Sequence, residues 1–141
     1  MKFLSIGPDD AKEFERAVEQ TPAFVKFYAP WCGHCKRMKA DWRRLKGMDG
    51  FECAIIEVHE EAIRHIQSEC ARVVRGFPTL MKVLPGGKIG MMYEGPRDYA
   101  SLVRFIKGNF ERTAAKRTVA KRTAARRTVA KRTAAKRRSN K

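Results

Sequence analysis

The 141-residue sequence has no long apolar segment, and we expect no signal that would direct it into or across a membrane. Its first apolar stretch, MKFLSI, is interrupted by Gly7 and Pro8, whereas a secretory signal needs a run of about 7–15 apolar residues. No stretch approaches the roughly 18 apolar residues of a membrane span, and the C-terminal RRSNK is not an endoplasmic reticulum retention signal. We therefore expect an intracellular protein without a transmembrane segment, located in the cytoplasm, nucleus or a virion rather than in the endoplasmic reticulum.

Cysteine is also scarce, because the chain has only four cysteines, too few and too irregularly spaced for a small secreted disulfide scaffold. Cys53 and Cys70 fall in apolar patterns and are predicted to be buried free thiols. Cys32 and Cys35 are separated by two residues, a spacing that fits either a redox pair or half of a zinc site. Zinc needs four ligands, and the other two cysteines are not paired with each other or with a nearby histidine. We predict redox chemistry, without a metal or another cofactor.

Acidic residues are absent from the last 29 positions, and this divides the chain in two. The whole sequence has 31 Lys and Arg residues against 15 Asp and Glu residues, a net charge of +16. Residues 113–141 contain 12 of the basic residues, so residues 1–112 have a net charge of only +4. We predict a folded domain over 1–112 and a separate basic tail over 113–141.

The apolar pattern of the first segment predicts an α/β fold. Continuous or alternating apolar runs predict strands over residues 2–6, 23–29, 51–58, 79–84 and 88–93. Amphipathic stretches predict helices over residues 8–20, 32–46 and 60–71, with a last one capped by Asp98. The order βαβαβα followed by ββα implies parallel crossovers and then an antiparallel hairpin. Periodicity alone thus predicts an α/β fold with a mixed central sheet flanked by helices, and this arrangement resembles the thioredoxin fold.

Cys32 lies where a predicted strand ends and a predicted helix begins. Free N–H groups and the positive end of the helix dipole favour a thiolate at such a position. The spacer, Gly33 and His34, places Cys35 one turn away, where it can attack a mixed disulfide at Cys32. A protonated His34 would favour the Cys32 thiolate further, which makes the disulfide form the better oxidant.

Three motifs resemble the catalytic domains of protein disulfide isomerases, and the resemblance covers about residues 1–110. Residues 27–36, FYAPWCGHCK, resemble the active site of that family, residues 75–79, RGFPT, its cis-proline loop, and residues 93–97, YEGPR, its last strand and helix. The resemblance implies a thiol–disulfide oxidoreductase or isomerase that acts on protein disulfides. It further implies that Pro78 is cis and that its loop, with Phe77, receives the substrate segment; Trp31, beside the cysteines, can add an apolar platform for substrate. It implies that Arg97 lowers the pKa of Cys35 during catalysis; the alternative is a solvated surface arginine.

Lys26 departs from that family, which has an acid at this position, buried below the cysteine pair. The family's partner lysine aligns with Glu57, so the pair is charge-swapped in this chain. A lone lysine in a central strand is costly to bury. We therefore expect Lys26 and Glu57 to form a buried pair that relays the Cys35 proton. The alternative is that Lys26 extends to solvent and Glu57 is a surface acid. A second departure is Ala40, which replaces a common proline and predicts a straighter helix.

The tail repeats a five-residue unit, TAAKR or a close variant, from Thr113 onward. This period builds no apolar stripe, and the like charges repel one another, so the free tail is predicted to be disordered. Binding to nucleic-acid phosphates is the favoured interpretation; a localising or solubilising role and binding to an anionic membrane are alternatives. The predicted contact residues are Lys116, Arg117, Lys121, Arg122, Arg126, Arg127, Lys131, Arg132, Lys136, Arg137, Arg138 and Lys141.

Three functions fit the sequence. The favoured one is a monomeric oxidoreductase for protein thiols and disulfides, with the tail binding nucleic acid or another polyanion. The second is a nucleic-acid packaging protein in which the thioredoxin domain is mainly a folded anchor, although an anchor would not need Cys32, Cys35, Pro78 and Arg97 together. The third is a general reductase, which the histidine between the cysteines disfavours.

Overall fold

The computed structural model describes residues 1–113. Its strands are β1 (Lys2–Ile6), β2 (Ala23–Tyr28), β3 (Ala54–His59), β4 (Thr79–Leu84) and β5 (Lys88–Tyr93). Its α-helices are α1 (Ala11–Glu19), α2 (Gly33–Arg44), α3 (Glu60–Ile63), α4 (Glu69–Arg72) and α5 (Tyr99–Asn109), and a 3-10 turn, Leu45–Gly47, follows α2. All twelve predicted phosphate-contacting residues, from Lys116 to Lys141, lie outside the described residues.

The five strands form one mixed sheet in the order β1-β3-β2-β4-β5. Strands β1 and β2 both run parallel to β3, whereas β4 is antiparallel to both β2 and β5. The predicted α/β fold with parallel crossovers and a final hairpin is therefore confirmed. Within residues 1–113, none of the helices is both long enough and apolar enough to span a membrane.

Strand β2 is at the centre of the sheet, and its alternating side chains build two separate cores. Val25 and Phe27 contribute to the core that contains Phe14 and Val18 of α1. Phe24 contributes to the opposite core, where its ring centroid lies 5.3 Å from that of Trp42 in α2. Because side chains alternate along a strand, Lys26 points to the same side as Phe24. The sheet therefore directs a lysine towards the underside of α2.

The helix predicted over residues 60–71 is wrong, because the segment forms two short helices, α3 and α4, separated by a turn. The carboxylate of Glu15 explains the break. Its Oε1 accepts hydrogen bonds from the backbone N–H groups of Gln67 and Ser68 at 2.9 and 3.0 Å, and its Oε2 accepts one from the Ser68 hydroxyl at 2.7 Å. These two N–H groups are thereby committed to α1 and cannot continue a single helix.

The hairpin between β4 and β5 is confirmed, with Gly86 and Gly87 at φ angles of +88° and +74°. A Cβ atom on Gly87 would lie 2.3 Å from Oγ of Ser68, so this position requires glycine for its close approach as well as for its backbone angle. The backbone N–H of Cys70 donates to the carbonyl of Gly87 at 3.1 Å. The turn thus holds α4 against the sheet, immediately before the loop that carries Pro78.

Candidate active site

Cys32 is the N-cap residue of α2, with an extended backbone at φ −78° and ψ 123°. Its Sγ atom accepts a hydrogen bond from the backbone N–H of Cys35 at 3.4 Å. A side chain that accepts such a bond is the usual way to satisfy the free N–H groups at the start of a helix. Here a thiol takes the place of the usual hydroxyl or carboxylate, so the helix start itself supports negative charge on sulfur.

The loop before β4 faces this thiol. The peptide bond between Phe77 and Pro78 is cis, as the resemblance implied, and the Cys32 thiol donates to the carbonyl of Phe77 at 3.4 Å. The rings of Phe77 and Trp31 meet edge to face with centroids 5.9 Å apart. The structure thus brings Trp31, Phe77 and Pro78, the three predicted substrate-binding residues, to one side of Cys32.

Both cysteine residues are buried, at 7% and 5% exposed, but the pKa values of their thiols shift in opposite directions. Desolvation opposes the Cys32 thiolate, but hydrogen bonds from the Cys35 side chain and from the backbone N–H groups of Cys35 and His34 outweigh it. Together with the charge of Arg97, they hold the pKa of Cys32 below its ordinary value. Burial, assisted by the neighbouring Cys32, raises the pKa of Cys35 to about 11, although Lys26 opposes this rise. The lower pKa therefore belongs to the sulfur that faces the cis-proline loop.

Lys26 and Glu57 meet beneath the cysteines. Lys26 is 2% exposed, and its Nζ lies 3.3 Å from Oε2 of Glu57, whose Oε1 accepts a 2.6 Å hydrogen bond from Ser5. The ammonium also lies 5.0 Å from the ring centroid of Trp42. Desolvation lowers the pKa of Lys26, and the Glu57 carboxylate opposes that shift. Lys26 does not extend to solvent, and the structure places the two predicted partners together.

Arg97 and His34 line a shallow pocket of about 330 Å³ together with Asp41 and Asp98. Arg97 is exposed, and in this structure its charge lowers the pKa of Cys32; an action on Cys35 remains a prediction. Nδ1 of His34 lies 3.3 Å from Nη2 of Arg37, and because a guanidinium only donates, Nδ1 is the acceptor there. The backbone N–H of His34 also lowers the pKa of Cys32, a contribution that does not depend on the imidazole ring.

Glu60 is a site residue that the sequence did not reveal. Its Oε1 accepts a 2.7 Å hydrogen bond from Nε1 of Trp31, although Trp31 is 67% exposed. The two residues are 29 positions apart, and only the pairing of β2 with β3 brings them together. The exposed indole thus has two contacts, one with the Phe77 ring and one through its nitrogen with Glu60, which fix its orientation beside Cys32.

Cys53 and Cys70 belong to the two cores and not to the site. All four cysteines are free thiols. Burial raises the pKa of both Cys53 and Cys70 to about 12, so neither is a thiolate near neutral pH. Their role as buried free thiols agrees with the expectation from the sequence.

Comparisons with known proteins agree with this geometry. The family model described as thioredoxin matches residues 6–108. A protein disulfide-isomerase of Datisca glomerata is 35% identical over 104 residues, which cover 70% of this chain and 20% of that protein. A thioredoxin domain-containing protein 5 homolog of Drosophila melanogaster is 36% identical over 101 residues, covering 69% of this chain and 24% of that protein. The chain thus spans about a fifth to a quarter of these relatives.

Solved structures show the same architecture. The J-Trx1 fragment of ERdj5 superposes with a TM-score of 0.61 at 29% identity, covering 75% of this chain and 50% of that one. A reduced thioredoxin pre-protein of Schistosoma mansoni superposes with a TM-score of 0.53 at 19% identity, covering 77% of this chain and 98% of that one. The second likeness concerns the fold alone.

Alkylation with iodoacetamide should distinguish the two thiols by pH. Because the pKa of Cys32 is lowered and that of Cys35 is about 11, Cys32 of the reduced protein should react first, with a midpoint below the free-thiol value of about 8.5. Mass spectrometry of peptides after pulses at different pH values measures both. Cys53 and Cys70 serve as internal controls and should react only after denaturation. Earlier modification of Cys35, or a Cys32 midpoint at or above the free value, would contradict the assignment.

A charge-swap cycle should measure the pairing of Lys26 and Glu57. Lys26→Glu or Glu57→Lys alone leaves like charges facing each other in a buried site, at a cost of about 3–5 kcal/mol in the free energy of unfolding. The double variant should recover most of this loss, because it restores opposite charges in the reverse order. Urea denaturation measures the four stabilities, and Lys12→Glu on the exposed side of α1 is the control, expected within about 0.5 kcal/mol of the parent. Additive effects of the two single changes would show that the residues are not coupled.

Proposed function

The chain belongs to the thioredoxin family, and we propose on this basis that it is a thiol–disulfide oxidoreductase of the protein disulfide isomerase type. The observation that supports this proposal most directly is that the pKa values of two adjacent thiols shift in opposite directions. The pKa of Cys32 is lowered at the start of α2, while that of Cys35 is raised to about 11 one turn further on. A nucleophile that is ionised and a resolving thiol that is held protonated give the reaction a defined order.

In the first step, the Cys32 thiolate attacks one sulfur of a substrate disulfide. A bond forms between Cys32 and that sulfur, the substrate S–S bond breaks, and the second substrate sulfur leaves as a thiolate. The backbone N–H of Cys35, 3.4 Å from Cys32 Sγ, stabilises the attacking charge, and the raised pKa of Cys35 delays its own ionisation. The mixed disulfide thus has time to exchange with another substrate thiol, which would complete an isomerisation.

In the second step, Cys35 loses its proton and attacks Cys32. The Cys32–Cys35 disulfide forms, the bond between Cys32 and the substrate breaks, and the substrate leaves reduced. The Cys35 thiol lines a cavity with Lys26 and Glu57. We assign the proton's path to this cavity, with Glu57 as the relaying base and Lys26 as the charge that lowers the pKa of Cys35. The reverse sequence of the same steps transfers the disulfide to a substrate.

Trp31, Phe77 and Pro78 would bind the substrate segment. The exposed indole of Trp31 and the ring of Phe77 form an apolar surface next to Cys32. Such surfaces favour unfolded segments with accessible apolar side chains. Arg97 lies on the other flank, with His34 in its pocket. We assign to Arg97 the stabilisation of thiolate charge during exchange.

Replacing one cysteine at a time should identify the nucleophile. Cys35→Ser should accumulate mixed disulfides with a disulfide-containing substrate, because Cys32 still attacks but nothing resolves the product. Cys32→Ser should accumulate far less, since Cys35 is protonated near neutral pH. Non-reducing electrophoresis measures the adducts, and Cys53→Ser is the matched control, expected to behave as the parent. Adducts formed mainly by Cys32→Ser would reverse the assigned roles.

A second function is favoured by the charge of the tail. Residues 113–141 contain 12 basic residues and no acidic ones, a composition that binds phosphates without sequence preference. We propose that the tail attaches the redox domain to double-stranded nucleic acid. Because no aromatic residue is interleaved, stacking on single-stranded bases is not part of the proposal.

Removing residues 113–141 should abolish binding to double-stranded DNA and leave insulin reduction unchanged. If all 12 basic residues contacted phosphates, log K would fall with log salt at a slope of about −11, and a partial set of contacts gives a shallower slope. A full-length variant with Gln at those positions separates charge from length and should also lose binding. Retention of the truncated chain on DNA equal to that of the parent would assign the tail to localisation or solubility instead.

A further inference from the structure

A cavity of about 500 Å³ is lined by Cys35 but by neither Phe77 nor Pro78 of the cis-proline loop. Its wall includes Tyr28, Ala29 and Pro30, where the chain leaves β2, and its floor includes Lys26 and Glu57. This volume is within the range of about 300–1,000 Å³ that is usual for small-molecule sites. The cavity is therefore large enough for more than the water molecules that a proton relay requires.

The charge around the cavity is strongly one-sided. Among the described residues that line it, Glu57 is the only acidic one, and both of its oxygens are committed, Oε2 to Lys26 and Oε1 to Ser5. Three further cations line the cavity from α2, namely Lys36, Lys39 and Arg43, and none of the three forms an ion pair within residues 1–113. Since Lys26 and Glu57 neutralise each other, the residues that line the cavity retain a net charge of about +3.

Helix α2 explains why these cations converge. Its sequence, GHCKRMKADWRR, has five basic residues and one acidic residue, a net charge equal to that of residues 1–112 as a whole. Lys36, Lys39 and Arg43 are spaced i, i+3 and i+7, which places them on one side of a helix. They extend over about 10 Å of its length, further than a single phosphate or carboxylate can span.

We propose that this cavity binds a small organic anion with at least two phosphate or carboxylate groups, and that the bound anion controls how fast Cys35 resolves a mixed disulfide. Lys36, Lys39 and Arg43 would hold the charged groups, and Tyr28 and Pro30 would contact the apolar part of the ligand. This inference rests on the proposed function, because it concerns the resolving step of that reaction.

The coupling follows from the position of Cys35 at the cavity. In the resolving step, Cys35 gives up its proton, its thiolate forms the bond to Cys32, and the bond between Cys32 and the substrate breaks with release of a thiolate. An anion in the cavity adds negative charge beside Cys35 and offsets the cations that favour its ionisation. A rise of one pKa unit reduces the thiolate fraction about tenfold, and the greater nucleophilicity of the more basic thiolate recovers part of the loss. The resolving step should then slow about threefold.

A two-phase reaction tests this in the full-length reduced protein. Dipyridyl disulfide is uncharged, and each step releases one thiopyridone: attack by Cys32 gives the first phase and resolution by Cys35 the second. Pyrophosphate and citrate stand in for the phosphate or carboxylate groups of such a ligand, and each is compared with sodium chloride at equal ionic strength. We expect saturable slowing of the second phase of about threefold, with the first phase nearly unchanged. Slowing by citrate alone assigns the site to carboxylates, and slowing by pyrophosphate alone assigns it to phosphates.

Two variants locate the effect. Lys39→Gln with Arg43→Gln should lose the anion response, while Lys12→Gln with Lys107→Gln removes the same charge from the exposed surfaces of α1 and α5 and should retain it. Backbone amide shifts of Ala29 and Cys35 on titration provide a second measurement, unaffected by anions bound to the tail. No change in the second phase, equal slowing of both phases, or an unaltered response in the Lys39/Arg43 variant would overturn the inference. Release of only one thiopyridone would instead contradict the proposed function itself.

Discussion

The hydrogen bond from the backbone N–H of Cys35 to Sγ of Cys32 connects the fold of this chain to its chemistry. A helix must satisfy the free N–H groups of its first turn, and in α2 the sulfur of Cys32 accepts one of these hydrogen bonds. The hydrogen bond that stabilises the start of the helix therefore also stabilises the thiolate. This bond contributes to the contrast between the two thiols, because it helps to lower the pKa of Cys32, whereas burial is the main cause of the raised pKa of Cys35.

Strand β2 supplies the remaining constraints, because both faces of the sheet are covered around it. Its end sets where α2 begins, and its alternation directs Phe24 and Lys26 to the same side. A lysine in that position requires a counter-charge, which the parallel register with β3 provides by placing Glu57 directly beside it. The ion pair is thus a consequence of burying a charged residue in the central strand. It also brings a titratable pair within reach of Cys35.

Local chemistry made much of this structure predictable. The glycines of the β4–β5 turn, the apolar continuity of β2 and the position of Cys32 at a helix start all follow from short-range patterns, and each is present in the structure. The break between α3 and α4 was not predictable, because it depends on hydrogen bonds from residues 67 and 68 to Glu15, more than 50 positions earlier. The bond between Trp31 and Glu60 and the contact of His34 with Arg37 escaped prediction too. The first contact depends on the register of two strands. The second depends on side-chain rotamers, which the spacing of the residues in the sequence does not determine.

The segment that carries Phe77 and Pro78 is anchored at both ends. Before it, α4 is held by the hydrogen bond from Cys70 to Gly87 and by the attachment of Ser68 to Glu15; after it, β4 lies inside the sheet. The loop opposite Cys32 is therefore already ordered before a partner binds. Little conformational entropy remains to be lost in this loop on association. A polypeptide that binds at Cys32 therefore has to change its own conformation to fit this loop. A flexible, extended segment can do this at low cost, whereas a disulfide inside a rigid native fold would first have to be released by local unfolding.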